Sequence, residues 1–317
     1  MANISSETKP LIPGFIRIGR PIHWVKNLSI FAALIFTGNL FDSQVFFRVF
    51  IAFLVFNLIT SATYIINDII DANNDRQHPI KKFRPIASGE VPIPMAVVET
   101  VVISAIALFA AREINQLFFL LVGGYLVLQI LYSLYLKNLV IIDILIIASG
   151  FIIRVYSGAF VIDAHLSVWF LLCVISVALF LASGKRRAEL NLLKPTKGLT
   201  RKILGKYKRE LLTSYVTMFG NAAWMSWALF TFFESPRATL PVWLFLAELS
   251  KATTINKLLM ITIPIVIFGI MRYENIIFEG RAEAPEKVLL SDIPLITSVA
   301  LWVGIVIWIL YGGVANI

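Results

Sequence analysis

One boundary in the sequence joins a long apolar run to a polar motif. After the apolar residues 44–66 the chain continues as Asn67-Asp68-Ile69-Ile70-Asp71-Ala72-Asn73-Asn74-Asp75. On a helix the three carboxylates lie along one face, because they are three and four residues apart. Their mutual repulsion requires a cation, and hard oxygen ligands suit a Mg²⁺ ion that substrate phosphates also hold. The motif therefore predicts a metal site for a diphosphate at a membrane surface, with Asp68, Asp71 and Asp75 as metal ligands and catalytic residues.

The alternative interpretation of this motif is a solvated helix end that marks the membrane boundary. That interpretation fits one or two acidic residues, whereas three carboxylates on one face repel each other. Negative charge is also favourable at the N-terminus of a helix, and this motif lies at the C-terminal end of its apolar run. Metal binding is therefore the better explanation of the motif.

Composition indicates an integral membrane protein made almost entirely of helices. Of its 317 residues, 58% are hydrophobic and 15% are charged, and apolar runs of roughly 20 residues, enough to cross a bilayer, recur along the chain. We expect an all-α, polytopic bundle of about nine transmembrane helices that occupies residues 1–317 as a single domain. The candidate spans are 25–41, 44–66, 92–113, 115–136, 139–162, 166–184, 209–234, 255–272 and 293–314. Residues 237–252, around Trp243, are expected to form a short interfacial segment.

The distribution of basic residues predicts the orientation in the membrane. The net charge is +9, and most Lys and Arg residues lie before span one and between spans two and three, four and five, six and seven, and eight and nine. The opposite face has only Arg48, Arg112, Arg237, Lys251 and Lys257. The positive-inside rule then places the N-terminus and the acidic motif in the cytoplasm. We expect a protein of the cytoplasmic membrane with an active site on the cytoplasmic side, formed by the loops 67–91, 184–209 and 272–292.

Three basic residues follow the acidic motif in a segment bounded by Pro79 and Pro85. Lys81, Lys82 and Arg84 have an ordinary explanation, since positive charge is common on the cytoplasmic side. A diphosphate held by Mg²⁺ nevertheless needs further counter-charge, and Arg pairs with phosphate through two parallel hydrogen bonds. We therefore predict that these three residues bind substrate, Arg84 foremost.

The second basic motif is Gly184-Lys185-Arg186-Arg187-Ala188-Glu189-Leu190, which opens the longest basic loop. The alternative role is attachment to anionic lipid head groups, which the later residues from Lys194 onward are expected to perform. We predict that Lys185, Arg186 and Arg187 bind a substrate phosphate, with Lys185 also catalytic. Glu189 is expected either to complete a Mg²⁺ shell or to hold an arginine in place.

Other candidates are isolated polar residues near or within apolar runs. Arg154 lies in the middle of a span, where a cation costs at least about 2.5 kcal/mol. It requires a partner, and Asp143, Asp163, another helix and an anionic ligand all remain open. Tyr132 and Lys137 close the fourth span, and Arg272 begins the third cytoplasmic loop. All of these except the two aspartates are predicted substrate-binding residues.

Several kinds of site are excluded. A single Cys173 permits neither an intrachain disulfide nor a cysteine metal site. The three histidines are far apart in the sequence, so a zinc site is not predicted, and no phosphate-binding loop of the nucleotide-binding type occurs. The basic charge follows the membrane topology instead of forming a separate basic domain, so nucleic acid is not an expected partner.

The residues resemble a known family. The motif Asn67–Asp75 after the second of nine spans looks like that of the UbiA superfamily of intramembrane prenyltransferases. Familiar members carry a second aspartate-rich motif after the sixth span, where it binds a second Mg²⁺. This chain departs from that pattern, because its sixth-to-seventh loop contains no Asp and carries the Lys185–Glu189 motif instead.

This departure is similar to one branch of the superfamily, the decaprenyl-phosphate phosphoribosyltransferases. The resemblance covers nearly the whole chain, and its further motifs are Arg20-Pro21-x-x-Trp24-x-Lys26-Asn27, Asp75-Arg76-x-His78-Pro79-x-Lys81-x-Phe83-Arg84-Pro85-Ile86-Ala87-x-Gly89, Tyr132-Ser133-x-x-Leu136-Lys137, Ala284-Pro285-Glu286 and Ser291-Asp292. It implies transfer of 5-phosphoribose from phosphoribosyl pyrophosphate to a polyprenyl phosphate, with Mg²⁺ as cofactor, for arabinose donor synthesis in the cell envelope. Lys26, Asn27 and Asn67 join the substrate-binding candidates on this basis.

Two other functions compete with this one. The first is a prenyltransferase of the same superfamily that acts on an aromatic quinone or haem precursor, and the missing second aspartate motif argues against it. The second is a transporter or lipid flippase, which would need charges reachable from both sides of the membrane. Membrane lipids are expected partners in each case. Polyprenyl chain length, the number of metal ions and the oligomeric state, a homo-oligomer included, are left open.

Overall fold

The long apolar runs form helices, and helices are the only regular elements in the part of the chain that is described. A computed structural model describes residues 13–191, 204–234, 253–279, 288 and 291–312. The N-terminal segment consists of α1 (Gly14–Ile18), a 3₁₀ helix (Pro21–Phe31) and α2 (Ala32–Phe36). The helices that follow are α3 (Ser43–Arg76), α4 (Pro85–Ser88), α5 (Ile93–Ile114), α6 (Gln116–Leu134), α7 (Ile142–Val161), α8 (Val168–Asn191), α9 (Arg209–Phe233), α10 (Ile263–Phe278) and α11 (Ile293–Tyr311). Short 3₁₀ turns at Lys81–Phe83, Leu136–Asn138 and Leu204–Lys206 and a longer one at Thr253–Thr262 connect them.

The prediction of an all-α, polytopic membrane protein is confirmed. Seven of the described helices are long and apolar enough to cross a membrane, namely α3, α5, α6, α7, α8, the stretch Lys257–Phe278 and α11. Pro21–Phe36 is a shorter apolar helix, and α9 has 25 residues. These two correspond to the expected spans 25–41 and 209–234, so the total of nine spans stays a prediction. The expected interfacial segment 237–252 and the basic residues Lys194–Lys202 lie outside the described residues.

Two helices continue past the predicted membrane boundaries. Helix α3 runs to Arg76, so the whole acidic motif is helical and does not begin a loop at residue 67. Helix α8 runs to Asn191 and therefore contains the Lys185–Glu189 motif. The hydrophobic pattern ends at the membrane surface, but the helices continue. The acidic motif contains no proline or glycine that would stop a helix, and the second motif contains none after Gly184. Both motifs thus present their side chains with helical spacing.

Helix α3 is the central element of the first half of the bundle. It packs against α5, α6, α7 and the N-terminal 3₁₀ helix, and its buried residues include Phe56 and Ile59. The 3₁₀ helix fits against α7 at Gly158, where a Cβ atom would collide with the carbonyl oxygen of Ile30. Helix α8 packs along α9 and α7 and joins the two halves of the bundle. The end of the bundle at which α3 and α8 end carries both charged motifs, and we call it the motif end.

Candidate active site

The acidic motif lies on the inner face of α3 at the motif end. Asp68 and Asp75 are each 3% exposed, and the Asp71 side chain is 18% exposed. The Asp75 position is two turns beyond Asp68, which keeps both carboxylates on one face of the helix. The helical spacing predicted from the sequence is therefore present, and it brings two carboxylates into a largely water-excluded position.

Three cations contact the acidic motif. The Arg20 guanidinium donates to Asp68 Oδ1 at 2.5 Å, and Arg84 Nη1 donates to the same oxygen at 3.0 Å and to Asp75 Oδ2 at 2.6 Å. Lys137 Nζ lies 2.7 Å from Asp71 Oδ1. Each carboxylate thus pairs with at least one cation from outside α3, and Asp68 and Asp75 share Arg84. These cations offset the repulsion among the three acids.

These contacts place two predicted residues and add one. Arg84 and Lys137, both predicted substrate-binding residues, contact the acidic motif. Arg20 was quoted only as part of a family motif and was not predicted as a site residue. Its backbone is left-handed (φ 51°, ψ 62°), a conformation that is uncommon for residues other than glycine and that concentrates at functional sites. The signal in the sequence was its place at the start of the family motif Arg20-Pro21-x-x-Trp24-x-Lys26-Asn27.

The turn that positions Arg84 depends on His78. The Nδ1 atom of His78 accepts hydrogen bonds from the backbone N–H groups of Ile80 and Lys81, each at 3.2 Å. Burial lowers the pKa of His78, and the nearby Lys81 lowers it further. The imidazole is therefore neutral at pH 7 and able to accept both bonds. Of the other predicted residues here, Lys81 and Asn67 are half-buried, whereas Lys82 is exposed and lies over the Phe83 ring at 5.1 Å.

The residues around α3 fit a magnesium ion shared with a substrate, but they do not form a closed protein cage. Among the described residues no group of three or more His, Cys, Asp or Glu side chains is arranged to hold a metal ion. Mg²⁺ usually keeps several waters and is held by one or two carboxylates together with substrate phosphates. Asp68 and Asp71 suit that role, since their observed ion pairs use only the Oδ1 atom of each. Asp75 pairs with Arg84 and so orients this cation.

The second basic motif contains a fully buried arginine. Arg186 is 0% exposed. Its Nε donates to Asp143 Oδ2 at 2.5 Å, its Nη1 to Glu189 Oε2 at 2.5 Å and its Nη2 to the Tyr132 hydroxyl at 2.8 Å. The Tyr207 hydroxyl donates to the other oxygen of Asp143. We call these five residues the Arg186 network. It ties the ends of α6 and α8 to the start of α7.

The backbone next to the Arg186 network is strained. Ile141, a β-branched residue, has a φ of 71°, and its N–H donates to the Tyr207 hydroxyl at 2.7 Å. Burial raises the pKa of the Tyr207 phenol, and its hydrogen bond to Asp143 raises it further. The phenol therefore stays protonated and can donate to the carboxylate. The rare backbone conformation of Ile141 is retained because the network fixes the Tyr207 hydroxyl and the Asp143 carboxylate next to it.

The Arg186 network changes the interpretation of three predicted substrate-binding residues. Arg186, Glu189 and Tyr132 are bonded to one another and not arranged around an open phosphate site. Of the two roles expected for Glu189, the structure has the one in which it holds an arginine. The predicted phosphate contact of Arg186 is not supported, because each of its three nitrogens already donates to a protein oxygen. The local sequence gave no sign of Asp143, which lies 43 residues away.

Lys185 and Arg187 flank Arg186 on other faces of α8. Arg187 donates from Nε to Thr213 Oγ1 at 2.9 Å and lies over the Phe278 ring at 5.3 Å. It lines an open cavity of about 540 Å³ together with residues of α9. Lys185 is half-buried. The basic residues of this motif thus lie on different faces of α8 and do not form one contiguous basic patch.

Arg154 is buried in the middle of α7 and has polar partners on other segments. Its Nε donates to Asn27 Oδ1 at 2.6 Å, and its Nη2 donates to the Tyr125 hydroxyl at 3.0 Å. Asp143 pairs with Arg186 instead, and Asp163 is exposed. Of the alternatives left open by the sequence, the contact with other helices is therefore the one observed. Asn27 is a predicted substrate-binding residue, Lys26 next to it is half-buried, and Tyr125 was not predicted.

Arg272 also pairs within the protein. It donates from Nε to Asp292 Oδ1 at 3.0 Å and from Nη2 to Asp292 Oδ2 at 2.7 Å. Asp292 additionally caps α11 by accepting from the Leu295 N–H at 3.0 Å. This bidentate pair joins α10 to α11, and the predicted substrate contact of Arg272 stays a prediction.

Comparisons with known proteins agree with this architecture. Residues 28–248 match the UbiA prenyltransferase family. The chain is 35% identical to the decaprenyl-phosphate phosphoribosyltransferase of Corynebacterium glutamicum, covering 96% of this chain and 88% of the relative. It is also 35% identical to the protein of that name from Mycolicibacterium smegmatis, covering 93% and 92%. A solved UbiA homolog from Archaeoglobus fulgidus, bound to DMAPP and Mg²⁺, superposes with a TM-score of 0.66 at 17% identity, covering 94% of this chain and 99% of that one.

Proposed function

The chain belongs to the UbiA prenyltransferase family, and on this premise we propose that it transfers 5-phosphoribose from phosphoribosyl pyrophosphate to a polyprenyl phosphate. The observation that carries the proposal is the 35% identity, over nearly the whole chain, to proteins named decaprenyl-phosphate phosphoribosyltransferase. The geometry supports the proposal in two ways. The one aspartate motif is surrounded by cations, and the Lys185–Glu189 motif stands where other family members are expected to carry a second aspartate motif. The active site faces the cytoplasm on the basis of the positive-inside rule.

The diphosphate of the donor binds at the acidic motif. Arg20, Arg84 and Lys137 provide the counter-charge, and in the absence of substrate they pair with the aspartates. Asp68 and Asp71 would hold Mg²⁺, a metal that the solved Archaeoglobus homolog also binds. When bound, the metal neutralises charge on the leaving diphosphate. Substrate binding therefore exchanges carboxylate partners of the cations for phosphate partners.

The 5-phosphate of the donor needs a separate set of cations. Lys185 and Arg187 remain candidates from the second basic motif, while Arg186 supports them from the interior. The buried network fixes the helical turn on which both residues lie, so their positions are set before substrate arrives. Preorganised charges of this kind act without reorganisation at the moment of reaction.

The reaction is a substitution at the anomeric carbon of ribose. The bond from C1 to the diphosphate oxygen breaks, and its electron pair leaves with pyrophosphate. An oxygen of the lipid phosphate forms the new bond to C1 as an oxocarbenium-like charge develops. The attacking phosphate is already ionised at neutral pH, so no protein base has to remove a proton. The contribution of the protein is then positioning and charge stabilisation.

A labelled-donor assay tests this proposal. Purified protein with phosphoribosyl pyrophosphate labelled in the ribose, Mg²⁺ and a polyprenyl monophosphate should transfer label into the organic phase and release pyrophosphate. Chelation of the metal should stop the transfer, and addition of Mg²⁺ should restore it. Label that stays in the aqueous phase under these conditions, with product formed from a prenyl diphosphate and an aromatic acid instead, would overturn the proposal.

A further inference from the structure

Among the buried arginines of the described residues, Arg154 and Arg186 have opposite kinds of partner. Arg186 pairs with the carboxylates of Asp143 and Glu189. Arg154 is 5% exposed, and its hydrogen-bond partners, Asn27 and Tyr125, are neutral. Within the described part of the chain, Arg154 makes no ion pair with a carboxylate. A cation in the middle of a membrane-spanning helix ordinarily requires such compensation.

The surroundings of Arg154 compensate its charge only in part. Its guanidinium carbon lies 5.3–5.8 Å from the ring centroids of Phe56, Tyr125 and Phe151, and such contacts attract a cation. The two hydrogen bonds use two of the five N–H donors of the guanidinium. Three donors and most of the positive charge are therefore available to a further group.

A second buried donor lies in the same cluster. Asn57 is 2% exposed, and its side-chain Nδ2 has no hydrogen-bond partner within the described residues. Its Oδ1 accepts from Asn27 Nδ2 at 2.6 Å, and Asn27 in turn accepts from Arg154. We call Asn27, Asn57, Tyr125 and Arg154 the Arg154 cluster. An excess of donors with a net positive charge suits a ligand that only accepts hydrogen bonds, which is the chemistry of a phosphate.

The Arg154 cluster lies deeper in the bundle than the motif end. Its residues on α3 and α7 share a helix face with Asp68 and Asp143 of the motif end. Asn57 precedes Asp68 on α3 by eleven residues, and Arg154 follows Asp143 on α7 by the same number. Eleven residues make about three helical turns, or about 16 Å, so each pair lies on one face of its helix. Between the two levels, Trp24 Nε1 donates to Ser61 Oγ at 3.0 Å.

We propose that the Arg154 cluster binds a phosphate monoester, and that this group is the phosphate of the lipid acceptor. The assignment to the acceptor rests on the proposed function. In that reaction the leaving diphosphate and the attacking phosphate occupy opposite faces of C1, so two anion sites must lie on either side of one ribose. The acidic motif and the Arg154 cluster lie about three helical turns apart along the bundle, and the proposal places the ribose between them. The apolar rings around Arg154 also suit a ligand that arrives from the membrane.

Replacement of Arg154 by Met separates binding from structural support. We expect Arg154→Met to unfold in detergent at a temperature equal to or above that of the wild type, because it removes a buried charge without a carboxylate partner. A polyprenyl monophosphate should raise the unfolding temperature of the wild type but not of the variant, and the matching polyprenol should raise neither. In turnover, KM for the lipid should increase at least tenfold while KM for phosphoribosyl pyrophosphate changes less than twofold. Arg154→Lys, which keeps the charge, should restore part of the lipid response.

Arg186→Met is the matched control, since it removes a buried arginine that has two carboxylate partners. It should lower the unfolding temperature. An equal loss of unfolding temperature in Arg154→Met and Arg154→Lys, with an unchanged lipid response, would make Arg154 a structural residue and overturn the proposal. A tenfold rise in KM for phosphoribosyl pyrophosphate alone would assign the cluster to the donor 5-phosphate and overturn the acceptor assignment. The thermal-shift comparison needs no turnover, so it stands even if the labelled-donor assay fails.

Discussion

At the scale of single residues, Asp68 accepts more hydrogen bonds than the other two carboxylates of the acidic motif. One of its oxygens accepts from both Arg20 and Arg84, and the residue is almost fully buried. On the proposed function, the charge of Asp68 therefore has two uses: it orders two cations before substrate arrives, and it is available to Mg²⁺ once those cations turn to the diphosphate.

Substitution of Asp68 tests its place in the site. Asp68→Asn should reduce kcat/KM for phosphoribosyl pyrophosphate by at least about 100-fold, since one metal ligand and the partner of two arginines are lost. The free energy of unfolding should fall by only about 1–3 kcal/mol, as charge-assisted hydrogen bonds become neutral ones. Steady-state kinetics and chemical denaturation in detergent measure both values.

Asp163→Asn is the matched control. Asp163 is exposed and has a φ of 50°, a conformation that Asn adopts readily. This variant should keep wild-type kinetics. Equal activity in Asp68→Asn and Asp163→Asn would remove Asp68 from the metal site.

At the scale of helices, the Arg186 network holds the ends of three helices in one arrangement. Arg186→Met should lower the free energy of unfolding by about 3–5 kcal/mol, because it leaves the buried Asp143 carboxylate without its cation. Asp143→Asn should also destabilise the fold. Denaturation of the two single variants and the double variant measures the coupling between these residues.

The double variant should be less destabilised than the sum of the two single variants, since each substitution removes the same ion pair. Strict additivity would show that the two side chains do not interact in the folded protein. It would also remove the basis for treating Lys185 and Arg187 as prepositioned by this network.

The contact between the N-terminal 3₁₀ helix and α7 depends on Gly158. Gly158→Ala should destabilise the protein by about 1–3 kcal/mol, because the added methyl group meets the Ile30 carbonyl and the segment must shift. The shift should also reduce activity, as Arg20 and Asn27 belong to this segment. Thermal unfolding and the labelled-donor assay measure both effects.

Gly124 offers a comparison on a neighbouring helix. A Cβ atom at Gly124 would meet nothing within 4 Å, and Ala has the higher helix propensity, by about 1 kcal/mol. Gly124→Ala should therefore leave activity unchanged and keep or increase stability. Similar losses in both variants would mean that the close approach at Gly158 has no special importance.

At the scale of the whole molecule, the orientation in the membrane is predicted from charge and is open to direct measurement. The only native cysteine, Cys173, is buried, so cysteines introduced at exposed positions give a clear signal. Ser88→Cys lies at the motif end and Gln116→Cys at the opposite end of α5 and α6. A membrane-impermeant maleimide should label Ser88→Cys in inside-out vesicles and Gln116→Cys in right-side-out vesicles. The reverse pattern would place the motif end outside the cytoplasm.

The sequence predicted the helical class and the acidic face because both depend on local spacing. Asp68, Asp71 and Asp75 follow helical periodicity, and Arg84 is only nine residues from Asp75, so its contact was within reach of a sequence argument. The partners of the buried Arg154 and Arg186 were not within reach of such an argument. Arg154 contacts Asn27 across 127 residues, and a basic motif such as Lys185–Glu189 does not reveal which of its members turns inward. Those roles depend on helix packing, which single-sequence patterns do not specify.

The identity of the bond formed is the most direct test of the central claim. A polyprenyl phosphate labelled with ¹⁸O in its phosphate would be incubated with phosphoribosyl pyrophosphate, Mg²⁺ and the purified protein, and the products analysed by mass spectrometry. The account predicts a lipid that has gained one phosphoribosyl group and retains all of its ¹⁸O, together with unlabelled pyrophosphate. Label in the pyrophosphate, or a lipid that gains no phosphoribosyl group, would contradict attack of the lipid phosphate on the ribose carbon.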